Sequence, residues 1–583
     1  MKTNKRPQLK ITLPTQKQGE HLVAETRPEY IARYLKNLPY GNMAKTLPSI
    51  LNSLSSFNRT EVSDANRLNA LALYDNSYQL ISEYYRSRTF HRDKRRAKIT
   101  IEEKLAFYKL TQEMAYGYKL LAMAMEQKKG PGQVQANILN LTLYYLSLVL
   151  MAHYGVYAPA PSNIWREIHS ILHYAIYYDL IDSQLPKSAP AGCLGTIEKT
   201  YLRITLIALV NPYHLNQGQH WPIWNYLTHW VECVELSDDM NDFSAGFTFV
   251  ADLESDDRPR QQDDISHLDE SNTLLILLQD LCLSIKNQLS KLHAEGKPPL
   301  PGFGSEVNAS KAKMLLEIMY QHWRGQKKRE LPRAKNPQKL SILVGFKNIH
   351  HALCQQDMLT STLEPKASKG TESFWYQINS STGGLCINTG ALVKDISIGQ
   401  LLAIQNGSSA SEQGQYRLAV VRWLQSNKQK GITIGIEWIA GEIQPITINI
   451  LGLTQRKELG FIVSGEDVLG QSKPTLLFPH ESIPQNQIVI LEIGDEELAI
   501  AVQQIIIETF YFERVFYQMC SLSEAKDMIE IKKQVAIEAR KREESGEEEI
   551  EMTALPGFGQ KIELNENPLE RPESKFASIK KGS

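Results

Sequence analysis

The chain has 583 residues, with 64 lysines and arginines against 65 aspartates and glutamates and a formal net charge of −1. Such a balance leaves no global field to draw the protein onto a nucleic-acid polymer or an acidic membrane, so any anion site must be built from local arginines. Hydrophobic residues make up 42% and charged residues 22%, an ordinary globular composition whose length predicts roughly two to four domains.

In chain order, residues 1–25 are polar and basic, with Pro7 and Pro14, and predict a flexible arm. They contain no apolar segment of the kind a secretory leader needs. Residues 26–295 predict an all-α array of helical hairpins. Ser63 to Arg67 reads as a helix start, followed by Leu68, Leu71, Tyr74, Tyr78, Ile81 and Tyr85 at helical spacing. Further runs cover 101–125, 133–153, 163–181, 195–210 and 223–236, separated by short breaks but with no strict repeat period. The run 137–151 is apolar but shorter than the ~20 residues a membrane span needs, and Asn140, Thr142 and Ser147 interrupt it, so a buried helix is expected. Residues 237–269 turn acidic and polar around a strand-like piece, 246–251, either a loop or a small β excursion. Residues 296–323 predict a Pro/Gly-rich linker and a lead-in helix.

From Leu340 the period changes to two. Ile432, Ile434, Ile436 and Trp438 alternate with Thr433, Gly435 and Glu437, the pattern of a half-buried strand. Residues 324–445 therefore predict a small β-barrel and 446–520 a second small β-rich module. Residues 521–583 predict a charged helix and a disordered tail. The fold class expected is multidomain α+β.

Two half-motifs stand at the start of the first barrel. Lys328 and Arg329 precede Arg333 in an Arg-x-x-x-Arg pair, and Asn379, Ser381 and Gly384 form Asn-x-Ser-x-x-Gly between two apolar segments. Guanidinium forks grip phosphate or the O6/N7 edge of guanine through paired N–H bonds. The Asn and Ser side chains offer a base edge donors and acceptors, and a glycine lets backbone come close. The order of the half-motifs, with 419–424 and 434–438 as later strands, resembles the PilZ domain, a receptor for cyclic di-GMP, over roughly 324–440. The gap between the halves is longer than in that family, with an insertion expected around 354–371. With Leu38-Pro39 followed by Leu54 to Asn58, and with Tyr201 to Tyr213, the helical region before the barrel resembles a proteobacterial group that joins such a region to a C-terminal PilZ domain. The resemblance implies a bacterial, cytoplasmic, non-enzymatic receptor. Cyclic di-GMP would be held by Lys328, Arg329, Arg333, Asn379, Ser381 and Gly384, with output through an unidentified protein partner in motility, pili, adhesion or exopolysaccharide control. A scaffold with a silent barrel, its helical array docking a partner, is the alternative.

No other chemistry assembles. The six scattered cysteines, without a Cys-x-x-Cys pair, argue against structural zinc and a disulfide framework. His169 and His173, four apart on an expected helix, have no further ligand to complete a metal set and read as core histidines. His350 and His351 would face opposite ways in a strand. No phosphate loop, zinc-protease or nucleophile-elbow motif occurs, and no cofactor is expected. One pentapeptide, Leu-Pro-Gly-Phe-Gly, occurs twice, at 300–304 and 555–559. It reads as chance duplication in linkers or as a recognition peptide presented twice.

Overall fold

A computed structural model of the chain describes residues 7–523, apart from 17–23, 91–98, 128–131, 296–301, 305–306, 326–332, 336, 360–374, 391–395, 407–415, 428–430, 451–455, 465–473 and 495. The helical part contains α1 (Pro28–Lys36), α2 (Met43–Asn58), α3 (Asp64–Phe90), α4 (Ile101–Glu126), α5 (Gln133–Tyr154), α6 (Ile164–Tyr177), α7 (Ile197–Leu209), α8 (His220–Trp230), α9 (Gln279–Glu295) and α10 (Ala309–Trp323). Helix α5 is apolar on every side, so it cannot present one face to water, and it sits in the middle. It packs on α4, α6 and α7, while α2 and α3 close over α4. By length and hydropathy α5 could cross a membrane, but 83% of its apolar window is buried inside the helical body. Buried tyrosines fill the space around it, and their hydroxyls find partners: Tyr78 with Thr111 at 3.0 Å, Tyr74 with Ser53 at 2.6 Å.

The start of α4 is set by local capping chemistry, whereas α1, α5, α6 and α8 begin without a side-chain cap. At α4, Thr100 accepts from the Glu103 N–H while Glu103 reaches back to the Thr100 N–H, and both orphan donors are satisfied. A four-stranded antiparallel sheet interrupts the helices: β1 (Glu235–Ser237), β2 (Thr248–Asp252), β3 (Arg260–Gln261) and β4 (Thr273–Leu277), in the order β1-β4-β2-β3. The strand-like piece at 246–251 is thus part of a sheet. Helix α10 packs on α9, and its Trp323 is fully buried and donates to the Leu206 carbonyl at 3.2 Å. The lead-in helix therefore shares the core of the helical body.

Part of the expected arm is docked rather than free. The Leu9 N–H donates to Glu126 Oε1 at 3.0 Å, the Lys10 N–H to Ser170 Oγ at 3.1 Å and the Thr12 N–H to Glu167 Oε1 at 2.9 Å, with Leu9 buried. The polar composition hid this, because much of the docking is made by backbone groups, with the Leu9 and Ile11 side chains and the Lys10–Glu254 ion pair adding to it.

Two closed barrels follow. The first has β5 (Lys339–Val344), then helix α11 (Phe346–Leu359), then β6 (Trp375–Ser381), β7 (Gly384–Thr389), β8 (Leu401–Asn406), β9 (Arg417–Asn427) and β10 (Gly431–Ile439), closing in the order β10-β7-β6-β5-β8-β9. The second has β11 (Glu442–Ile450), β12 (Arg456–Ser464), β13 (Thr475–Pro479), β14 (Ile488–Ile493), β15 (Glu496–Glu508) and β16 (Phe512–Cys520), closing as β11-β12-β13-β16-β15-β14. Each has its own core: Trp375, Ile387, Ile404, Val421 and Ile434 fill the first, and Ile448, Phe478, Leu491 and Val515 the second. His350 and His351 belong to α11, not to a strand, because the barrel's first connection is helical. The expected insertion at 354–371 is helical to Leu359, and 360–371 lie outside the described residues, as does the charged helix and tail beyond 523. A further apolar cluster, Ile349 of α11 with Leu401, Val420, Phe461, Leu477 and Phe512, joins the outer faces of the two barrels.

The helical body meets the first barrel at Tyr157. Its ring packs against the barrel core, its carbonyl accepts from the Ser426 N–H of β9 at 2.8 Å, and its hydroxyl donates to Leu215 O at 2.9 Å.

One buried carboxyl in the helical body makes stability depend on pH. Asp75 accepts from the Tyr145 hydroxyl, and burial raises its pKa to about 7, with a Gln79 hydrogen bond working weakly against the shift. Between about pH 4, where an unfolded Asp loses its proton, and about pH 7 the folded state alone holds that proton. Stability from this group therefore falls as pH rises through that window and is flat above it. Asp75→Asn is expected to remove the decline. Its thermal midpoint relative to wild type rises from pH 5 to pH 8, checked by circular dichroism across that range.

Candidate functional site

The site begins where residues just before β5 pair with β6, at Gln338 and at Ala334. The Gln377 N–H donates to Gln338 O at 2.9 Å, and Ala334 and Ser380 exchange two backbone hydrogen bonds, each 2.9 Å. Stepping one residue along an antiparallel pair sets Arg333 opposite Ser381 and Lys335 opposite Asn379. Strand side chains alternate faces. Ser380 pairs with the inward Leu385, so Asn379, Ser381, Arg333 and Lys335 share the outer face.

The row continues across the barrel. Asn379 pairs with Cys386, Cys386 with Gly435, and Gly435 with Trp423. A bulge between Gln377 and Asn379 keeps Gln377 aligned with Ile387 while turning Asn379 outward. Two strand spacings, about 10 Å, separate Asn379 from Gly435. The Trp423 indole lies across Gly435: a Cβ there would come within 1.8 Å of its Nε1. The half-exposed indole and the exposed Ile378 give this polar row an apolar floor.

Its electrostatics fit an electron-rich ligand. Asn379 Oδ1 is buried and has no hydrogen-bond partner among the described residues, leaving an acceptor for a donor N–H. Arg333 is exposed. Burial pushes the Cys386 thiol up, and the Arg333 charge pulls it part of the way back, so the guanidinium stands near the row. Glu437, the nearby carboxylate on β10, is held by Arg422 at 2.7 Å and so partly neutralised.

Of the six residues expected at the site, Arg333, Asn379 and Ser381 come together on one face. Lys328 and Arg329 lie outside the described residues. Gly384 is at the tip of the same hairpin, where Ser381 Oγ donates to its carbonyl at 3.4 Å. Its lack of a Cβ serves the barrel, however: a Cβ would sit 2.0 Å from Ile436 O on β10. Lys335, Cys386 and Trp423 were missed. Lys335 stands two positions after Arg333, on the same strand face, and Trp423 sits three positions beyond a strand-alternating Val420, a spacing that only the bulge beside Gly435 turns outward.

Two of the histidines weighed as metal ligands, His169 and His350, have protein partners. His169 is buried, with its ring nitrogens 2.9 Å from Asp257 O and 3.1 Å from the Tyr201 hydroxyl, and burial pushes its pKa down. His350 Nε2 meets Ile446 O at 2.9 Å between the barrels.

A helical body followed by a six-stranded barrel with this hairpin is the architecture of a PilZ protein with a long helical N-terminal region. Residues 29–241 match the family described as "Cyclic-di-GMP receptor FimW, N-terminal domain", and 248–377 and 372–445 match "Cyclic-di-GMP receptor FimW, middle PilZ domain". The two matches together cover well over half of the chain, and the chain belongs to this family. A curated relative, the cyclic-di-GMP receptor FimW of Pseudomonas aeruginosa strain PAO1, is 20% identical over 527 residues, spanning 78% of this chain and 84% of that protein. No solved structure matches.

Two substitutions separate packing from binding. Gly384→Ala forces a Cβ into the Ile436 carbonyl and is expected to lower the thermal midpoint by several degrees, equivalent to about 1–3 kcal/mol. Asn379→Ala removes a buried acceptor that pairs with nothing among the described residues, and leaves the midpoint within about 1 °C. Differential scanning fluorimetry of both variants checks the contrast.

Proposed function

We propose that the chain is a receptor for cyclic di-GMP that acts by binding, and relays occupancy through its helical body to a protein partner. The observation that carries this reading is the Ala334–Ser380 bridge, which sets Arg333 beside Asn379 and Ser381 although 45 residues intervene between Arg333 and Asn379. Arg333, with Arg329 and Lys328 just before it in the chain, supplies positive charge for the phosphates and a fork for a guanine edge. Asn379 Oδ1 accepts from a base N–H, Ser381 and Lys335 add polar contacts, and Trp423 offers a face on which a purine stacks.

The same strand carries the relay. Trp423 lies three residues before Ser426, whose N–H donates to Tyr157 O in the helical body. A ligand that engages Arg333 and presses on Trp423 favours one setting of that junction, and the resulting shift is limited by its differential affinity for the two settings. Motility, pili, adhesion and polysaccharide secretion are the outputs such a receptor would serve.

Isothermal titration of the full chain with cyclic di-GMP is expected to give micromolar or tighter binding. Arg333→Ala and Arg329→Ala each weaken it about 30-fold or more, the equivalent of roughly 2 kcal/mol for a lost charge-assisted contact. Trp423→Ala weakens it about tenfold, in line with one base stack. No heat with folded wild type, or arginine variants that bind as tightly as wild type, would overturn the reading.

A further inference from the structure

The repeated pentapeptide finds an explanation in the fold. The first copy, at 300–304, is not an idle linker where it is described. Phe303 stacks on Tyr226 of α8, with ring centroids 4.9 Å apart and planes 29° apart. Tyr226 in turn stacks on Trp230 at 5.8 Å, and its hydroxyl donates to Gln288 Oε1 of α9 at 3.2 Å, so the aromatic seat is fixed from beneath. Gly302 is needed twice over. Its φ is +115°, and a Cβ would come within 2.9 Å of the Tyr226 Cα. A glycine pressed on the α8 backbone followed by a phenylalanine ring on Tyr226 is therefore a matched pair of features.

The second copy, 555–559, lies outside the described residues but repeats both features in sequence, as Gly557 and Phe558, with the same flanking Leu, Pro and Gly. We propose that Leu555–Gly559 of this chain is a second ligand for the Tyr226–Trp230 seat, exchanging with Leu300–Gly304. Two peptides tethered to one chain compete at effective concentrations set by their connections, without any new contact being required. The exchange has a structural consequence, because the internal copy sits between α9 and α10. Helix α10 leads through Trp323, buried in the helical core, towards Arg329 and Arg333. Seating the C-terminal copy releases Phe303 from Tyr226, six residues before α10 begins.

The test uses a fluorescein-labelled peptide of residues 550–564, titrated by anisotropy into the full chain carrying Phe303→Ala and Phe558→Ala, which silences both resident copies. Saturable binding is expected, at least tenfold weaker for a Gly557→Ala peptide and for a Phe558→Ala peptide, and weaker again when wild-type chain replaces the double variant. No saturable binding, or a Gly557→Ala peptide that binds equally well, overturns the proposal, since a merely greasy contact would ignore the glycine. A second measurement leaves the internal copy intact. A photo-crosslinking phenylalanine analogue at position 558 of the full chain is expected to label His220–Trp230, within one chain or between two. Labelling elsewhere, or none, overturns it.

Discussion

The exchange of two backbone hydrogen bonds between Ala334 and Ser380 holds the site together. Without it, Arg333 would be the end of a polar approach and Asn379 an outward amide on a barrel strand. With it, the chain ahead of β5 pairs with the end of β6, and the alternation of side chains along both turns Arg333, Lys335, Asn379 and Ser381 to one face. The site is thus specified by register more than by loop shape. Register in a barrel is held by every inward residue at once, because a slip of one position would carry Trp375, Ile387 and Ile434 to the outside.

Much of this was legible in the chain. Helices long enough to show a 3.6-residue period announced themselves; the internal Asn, Thr and Ser of 137–151 pointed to a buried helix, although the whole of α5 is long enough to span a membrane. The strand at Gly431–Ile439 was visible in its strict alternation, and the half-motifs were visible as residue types in order. What could not be seen had a common cause: it depended on which strands became neighbours. Trp423 joins the site because a bulge opposite Gly435 turns it over a residue with no side chain. Lys335 joins because a segment without any apolar pattern pairs with the end of β6. Gly384, expected to make room for a ligand, makes room for the Ile436 carbonyl of a strand some fifty residues later in the chain.

Helix α11 and the docked N-terminal segment were hidden for different reasons. Phe346, Ile349 and Leu353 form a short apolar stripe in a region otherwise of period two, and only the facing outer walls of the two barrels give that stripe something to cover. Residues 7–16 bind through main-chain N–H groups to Glu126, Ser170 and Glu167, and no side-chain pattern records such contacts in advance.

The apolar layer between the barrels, with Ile349 of α11 set among Leu401, Val420, Phe461 and Phe512, bears on how this architecture can be rearranged. Each barrel is closed and filled, yet each presents to the other a greasy outer wall that water would penalise. Grafting the first barrel alone onto another scaffold would strip Leu401 and Val420 of their cover, and grafting the second alone would strip Phe461 and Phe512. The pair is transplantable only as one piece, with α11 carried along as its mortar.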